Sequence, residues 1–218
     1  MKKSFLTILI GALASIGSAQ TKALTEKGDE VVLYDDGTWL YVNDSLNWNY
    51  DEEELALNLE TNPNQFSKPK DAKFELKSKV MDISFWFDSN LWKSSKLSVN
   101  DDAEYQFETK DTEIYAIVIT ERIEIPLETL RTVSLQNIMD VAKNVEVLEE
   151  EYRIVNGKQV ISTRVNALVE GIKISYHIYY YADESGSMQF MAYTSQNLYQ
   201  RRKGDMENLL NGLIVATK

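Results

Sequence analysis

The sequence predicts an α+β fold: an antiparallel β-sheet with helices packed on it, an α/β/α sandwich, preceded by a small N-terminal β-meander. Three observations carry this. Asn156-Gly157, between Glu151–Val155 and Gln159–Val169, is the strongest short hairpin signal in the chain, because both residue types accept the positive φ of a two-residue turn. Turns at Glu170-Gly171 and Asp183 to Ser187 continue that run into Ile172–Tyr181 and Met188–Thr194. Two stretches outside the run carry apolar residues at helical spacing, Leu127, Leu130, Ser134, Ile138 and Val141 in one, Met206, Leu209, Leu210 and Leu213 in the other. Strands in one block with amphipathic helices beside them belong to the α+β class.

The elements follow in chain order. Lys2 and Lys3 precede an apolar stretch from Phe5 to Ile16, and Gly17-Ser18-Ala19 supplies small residues. This is the layout of a signal peptide over residues 1–19, with cleavage after Ala19. The stretch is too short for a comfortable membrane span. Residues 20–42 predict three short strands with turns at Lys27-Gly28-Asp29 and Asp35-Asp36-Gly37. Residues 43–72 contain Pro63, Pro69 and many Asn, Ser, Lys and Asp, and read as a linker with one or two helical turns after Asp51-Glu52-Glu53-Glu54. Residues 73–218 form the main domain. Its strands begin with Ile83–Phe87, Ala103–Thr109 and Glu113–Arg122. Its helices run over 127–143, with Pro126 at the start where a missing N–H costs nothing, and over 203–214.

Composition narrows the function. The chain has no cysteine and a formal net charge of −11, which becomes −13 when the two leader lysines leave. An exported protein without cysteine has no disulfides and must be held by an ordinary core. It also lacks the residue that carries the lipid of a bacterial lipoprotein. An acidic surface repels nucleic acid and anionic lipid headgroups. The expected location is periplasmic or extracellular, with no integral membrane segment in the mature chain.

Several chemistries lack their residues. His177 is the sole histidine, which removes His-x-x-His metal patterns, and without cysteine no structural zinc site is expected. No Gly-x-Ser-x-Gly elbow accompanies His177, and it sits mid-strand. The glycines never cluster into a phosphate-cradling loop. Asp35-Asp36, Asp101-Asp102 and Glu149-Glu150-Glu151 lack the spacing of a calcium loop. No catalytic, cofactor-binding or metal-binding residue is therefore assigned, and no cofactor is expected.

The tyrosine-rich strand is the remaining clue. Ile172, Ile174, Tyr176, Ile178 and Tyr180 alternate with Lys173, Ser175, His177, Tyr179 and Tyr181. The first set is a core face. The second, joined by Arg164 on the preceding strand, mixes aromatic and basic groups. It is expected either to be covered by a helix or the meander, or to form a partner-binding face that includes Arg164, His177 and Tyr179.

Two resemblances add to this. Gly28, Val31, Leu33, Asp36, Gly37, Thr38, Trp39 and Tyr41 resemble the "DGTW" segment of many secreted bacterial proteins of unknown role. Ile83-Ser84-Phe85 followed by Trp92, Tyr105-Gln106-Phe107 leading to Ala116-Ile117-Val118, and Tyr179-Tyr180-Tyr181 followed by Gly186, Gln189, Tyr193-Thr194 and Leu209-Leu210 resemble the PsbP/DcrB-like superfamily over residues 73–218. That superfamily includes a photosystem II extrinsic protein and Ran-release factors. The resemblance implies a PsbP-like α+β domain and binding or assembly without catalysis, and it implies no site residues. The functional expectation is a non-enzymatic secreted or periplasmic protein that binds a partner protein or ligand in the cell envelope. The alternative is a hydrolase acting on envelope material through a carboxylate pair.

Overall fold

The computed structural model describes residues 21–24, 30–33, 39–41, 59–95 and 102–216. The expected signal peptide and residues 43–58 of the expected linker lie outside these. Near the N-terminus, β1 (Thr21–Leu24), β2 (Glu30–Leu33) and β3 (Trp39–Tyr41) form an antiparallel meander, with Leu33 opposite both Thr21 and Trp39.

The remaining strands are β4 (Thr61–Phe66), β5 (Phe74–Lys77), β6 (Ile83–Phe87), β7 (Trp92–Ser94), β8 (Tyr105–Thr109), β9 (Tyr115–Glu121), β10 (Lys143–Val155), β11 (Lys158–Val169), β12 (Ile172–Asp183), β13 (Gly186–Ser195) and β14 (Leu213–Val215). Two helices, α1 (Leu127–Val141) and α2 (Gln196–Leu210), complete the set. Eight strands form one sheet in the order β4-β10-β11-β12-β13-β9-β8-β7. Its centre is the predicted meander of β10 to β13, paired antiparallel throughout. A second sheet has the order β14-β6-β5.

Each face of the large sheet has its own core. On one, Leu130, Leu135 and Ile138 of α1 pack on Ile161, Val165, Ile174, Ile178 and Tyr180. Tyr115, Tyr193 and Tyr176 stand opposite one another on three adjacent strands there, with ring centroids 5.7 and 5.6 Å apart. On the other face, Tyr199, Met206, Leu209 and Leu210 of α2 join Phe85 and Phe87 of the small sheet over Tyr179, Met188, Phe190 and Ala192. The α+β sandwich is therefore as the sequence predicts, with the small sheet sharing the α2 layer.

Elements that differ from the expectation include β4 and α2. Residues 61–66, read as linker, form β4, which runs parallel to β10 with Thr61 beside Tyr152 and Phe66 beside Val155. Pro63 is tolerated because β4 is an edge strand, where a missing N–H breaks no ladder. Phe66 lies under the Arg153 guanidinium, 4.5 Å from ring to cation, and the Asn62 amide donates to Glu151 at 2.9 Å. The second helix begins at Gln196, not Lys203, and stops at Leu210. Tyr199, 1% exposed, anchors the extra turns, and Gln196, Asn197 and Gln200 hide the helical period there. After Asn211, Gly212 brings the chain so close to the Trp86 carbonyl that a Cβ would collide with it. Leu213–Val215 then pairs with β6.

The β10–β11 turn does more than reverse the chain. Asn156 has a φ of 49° and Gly157 one of 81°, as the hairpin signal requires. The Asn156 side chain accepts from the Lys68 N–H at 2.8 Å and donates to the carbonyls of Asn211 and Leu213 at 2.8 and 2.7 Å. One turn residue thus joins the segment after β4 to the α2–β14 connection.

Candidate functional site

The alternation argument places Arg164, His177 and Tyr179 on one sheet face, and they lie there. That face is not a surface. His177 and Tyr179 are 2% and 0% exposed, and the Arg164 side chain is 16% exposed. The longer α2 covers them: the Tyr199 ring lies 4.1 Å from the Arg164 guanidinium, and Arg164 donates to Glu149 at 2.8 Å. The expected partner-binding face is corrected to a buried polar layer beneath α2.

Within that layer several groups pair with one another, while Arg164 Nε, His177 Nδ1 and the Tyr199 hydroxyl are buried without a hydrogen-bond partner among the described residues. Arg153 donates to the Tyr179 hydroxyl at 3.0 Å, and that hydroxyl donates to Asn211 Oδ1 at 2.9 Å. Arg153 Nε also donates to Glu151 at 2.6 Å. Such pairing is what lets a guanidinium sit in the interior. His177 Nε2 lies 3.0 Å from Ser162 Oγ, a Ser–His contact with both residues buried. Burial pushes the His177 pKa down to about 3, with Arg153, Lys203 and Arg164 adding to the effect. The imidazole is therefore neutral at physiological pH. A nucleophile and base must reach a substrate, and α2 closes this pair off.

The acidic run Glu149-Glu150-Glu151 is spent on cations. Glu149 meets Arg164 and Lys203, Glu150 takes a two-pronged contact from Arg131 and the Thr163 hydroxyl, and Glu151 meets Arg153. Of the other acidic pairs, Asp35, Asp36 and Asp101 lie outside the described residues. A recess of about 340 Å³ beside the start of α1 is lined by Glu124, Ile125, Pro126, Leu127, Ala182, Asp183 and Glu184. Asp183 there accepts from Ser185 and Tyr181. Burial acts to raise its pKa, and these hydrogen bonds outweigh it and hold the carboxyl below its ordinary value.

The accessible feature lies at the sheet's edge. β4 pairs with β10 at Tyr152, Ile154 and Val155. Among the described residues, Lys143 to Glu149 of β10 therefore has a strand on one side alone. Val147 stands opposite Val165 and so on the α1 face, while Glu146 and Glu149 stand opposite Asn166 and Arg164 on the α2 face. The register shifts between Val147 and Glu149, leaving Leu148 unpaired in a bulge. Val147 and Leu148 are each 37% exposed, and Met139 in the last turn of α1 is 47% exposed. Sequence reasoning began this strand only at Glu151. The missed signal was the broken alternation of Val145, Val147 and Leu148, which the bulge explains.

No protein-family model matches the sequence, and no curated protein is similar to it in sequence. Solved structures are similar in fold. The cyanobacterial PsbP of Synechocystis has a TM-score of 0.49 at 11% identity, covering 66% of this chain and 92% of that one. The Ran-binding protein Mog1p of Saccharomyces cerevisiae has a TM-score of 0.44 at 9% identity, covering 65% and 94%. LpqN of Mycobacterium tuberculosis, involved in cell envelope biogenesis, has a TM-score of 0.39 at 7% identity, covering 72% and 87%. The first two share the PsbP-like fold that the PsbP/DcrB-like resemblance implies for residues 73–218. The likeness goes no further than fold, and the sandwich itself stands on the strand order and the two cores. Among the described residues, no helix is long and apolar enough to cross a membrane.

Proposed function

We propose that this is a non-enzymatic protein of the cell envelope, exported through its leader, that holds a partner at the end of α1 and the first half of β10. One observation carries the reading. Of the five large hydrophobic residues exposed among the described ones, Met139, Val147 and Leu148 fall within one short stretch. Exposed apolar groups gathered in one place mark interaction sites more often than scattered ones do. The leader supports the envelope location, and the burial of His177 supports a role without histidine chemistry.

The test compares wild type with Val147→Asp/Leu148→Asp in capture from native envelope extract. Both positions are exposed, so the change should alter stability by no more than about 0.5 kcal/mol. A protein held by wild type and lost by the variant, at equal melting temperature, is the expected result. Identical capture by the two would refute this surface.

A further inference from the structure

His177 is enclosed by described elements. Ser162 and Arg164 face it from β11, where Arg164 is its direct cross-strand neighbour. Tyr179 meets it edge-on along β12, and Ala192 stands opposite on β13. Arg153 of β10 and Lys203 of α2 bring two further cations to it. The carboxylates of the layer are already engaged: Glu149 by Arg164 and Lys203, Glu151 by Arg153, Glu207 by Arg153 and Lys203. A charged ring would therefore sit among three cations. It would also make both ring nitrogens donors, and Nδ1 has no partner among the described residues.

The cover over this ring is the weaker half of α2. The helix runs along β12: Gln196 donates to the Ile174 carbonyl, Tyr199 lies over Arg164 beside His177, and Asn211, just past the end, reaches Tyr179. Met206, Leu209 and Leu210 bury the second half, whereas Tyr199 is the buried residue of the first. Ser195 gives the N-terminus no side-chain cap, and the first turn has no acidic residue. The other fastenings of residues 196–203 are ion pairs: Arg201 with Glu113, Arg202 with Asp111 and Glu113, Lys203 with Glu149. Pairs of this partly exposed kind each contribute little. Gly204 follows, where a Cβ would meet nothing within 4 Å among the described residues. A glycine inside a helix weakens it, and no packing here requires one.

We infer that residues 196–203 are an acid-released cover: when a proton reaches His177 they lift from the sheet, bending at Gly204, while 205–210 stay docked, and Arg164 and His177 become accessible. This stands apart from the binding role proposed above. While the cover is down, burial holds His177 at about 3, with Arg153, Lys203 and Arg164 adding to the effect; a solvated imidazole titrates near 6.5. The closed form is thus fully favoured above pH 6.5 and loses ground as pH falls below it. Between pH 7 and pH 5 the open population should rise about 25-fold. The Thr109 hydroxyl holds the Asp111 carboxyl below its ordinary value, so its contact with Arg202 persists over that window.

The experiment follows amide hydrogen exchange in the mature full-length chain at pH 7, 6 and 5, with rates corrected for their intrinsic pH dependence. Protection of 196–203 should fall at least tenfold, while 205–210 and β12 change less than threefold. His177→Gln, which keeps a partner for Ser162 and takes no proton, should hold the fall at 196–203 below threefold. Arg202→Gln loosens the cover and leaves His177 in place, so it decides the matter should His177→Gln fail to fold. In it, 196–203 should lose protection at pH 7, and the midpoint of the single imidazole NMR titration should move up toward 6.5, because the coupling is reciprocal. Equal loss across 196–203, 205–210 and β12 would mean global unfolding and overturn the inference. So would constant protection from pH 7 to 5, an undiminished fall in His177→Gln, or an Arg202→Gln variant in which either the protection or the titration midpoint is unmoved.

Discussion

The Tyr179 hydroxyl sits between two buried groups, accepting from Arg153 and donating to Asn211. Tyr179→Phe removes both bonds and leaves the guanidinium short of a partner, so it should destabilise by about 1–3 kcal/mol. Tyr179→Ala also opens a cavity and should cost about 3–5 kcal/mol. Denaturant melts of the two variants check this; a loss under 0.5 kcal/mol for Tyr179→Ala would contradict the burial. His177 gives a second residue-scale prediction. Its folded pKa of about 3 lies below the ordinary 6.5, so the folded state favours the neutral ring. The contribution is complete above pH 6.5 and is lost as pH falls from there toward 3. Between pH 7 and pH 5 this amounts to about 2 kcal/mol. With no second histidine in the chain, His177→Gln should flatten stability over that window, and an unchanged slope would mean another group titrates there. At this scale the sequence showed which face each residue takes, since period-2 alternation is local. Whether that face was covered depended on how early α2 begins, which no local pattern revealed.

Among the elements, α1 was legible nearly to the residue because its apolar spacing and Pro126 are signals within one short window. α2 was half legible: Met206, Leu209 and Leu210 show the period, while the polar first turns do not. β4 was not legible at all. Its partner on β10 is 89 residues away, as in the Asn62–Glu151 bond, its pairing is parallel, and its composition is that of a loop. Its contribution can be measured by truncation. A chain starting at residue 59 keeps β4 and should fold with the secondary structure and melting temperature of the main domain. A chain starting at residue 73 loses the Phe66–Arg153 contact and uncovers the second half of β10. It should melt at least about 4 °C lower and be cut by protease within β10. Equal melting of the two truncations would show β4 to be dispensable.

For the molecule as a whole, the layer order followed from counting strands and helices, but the division of labour between the two faces did not. α1 covers one face with a mostly aliphatic core. The other is closed by α2 and a small sheet that the sequence barely announces, since its outer strands β5 and β14 span only four and three residues. The candidate binding edge was missed for a related reason. A bulged edge strand breaks the alternation by which strands are recognised, and an edge is defined by the absence of a neighbour. The connection between the layers is testable at Asn156. Asn156→Asp keeps the acceptor for Lys68 but sets a carboxylate against the carbonyls of Asn211 and Leu213. It should destabilise by about 1–3 kcal/mol, read by denaturant melts, while Asn156→Gly, which suits the turn but removes all three bonds, separates turn geometry from cross-linking.

That same asparagine gives the protein a chemical memory of having been unfolded. In a free Asn-Gly sequence the glycine nitrogen readily attacks the asparagine amide carbon, ammonia leaves, and the ring opens with water to aspartate or isoaspartate. In the native protein the Asn156 amide is held by the Lys68 N–H and by the carbonyls of Asn211 and Leu213, so the attack requires those contacts to open first. Deamidation at this position should therefore follow the population of opened molecules. Once it has happened, the carboxylate no longer fits between its two carbonyl neighbours, and each excursion makes the next one easier. Ageing of this protein is thus expected to begin at a turn that the fold uses as its fastening, and to leave behind a chain that opens more readily than the intact one.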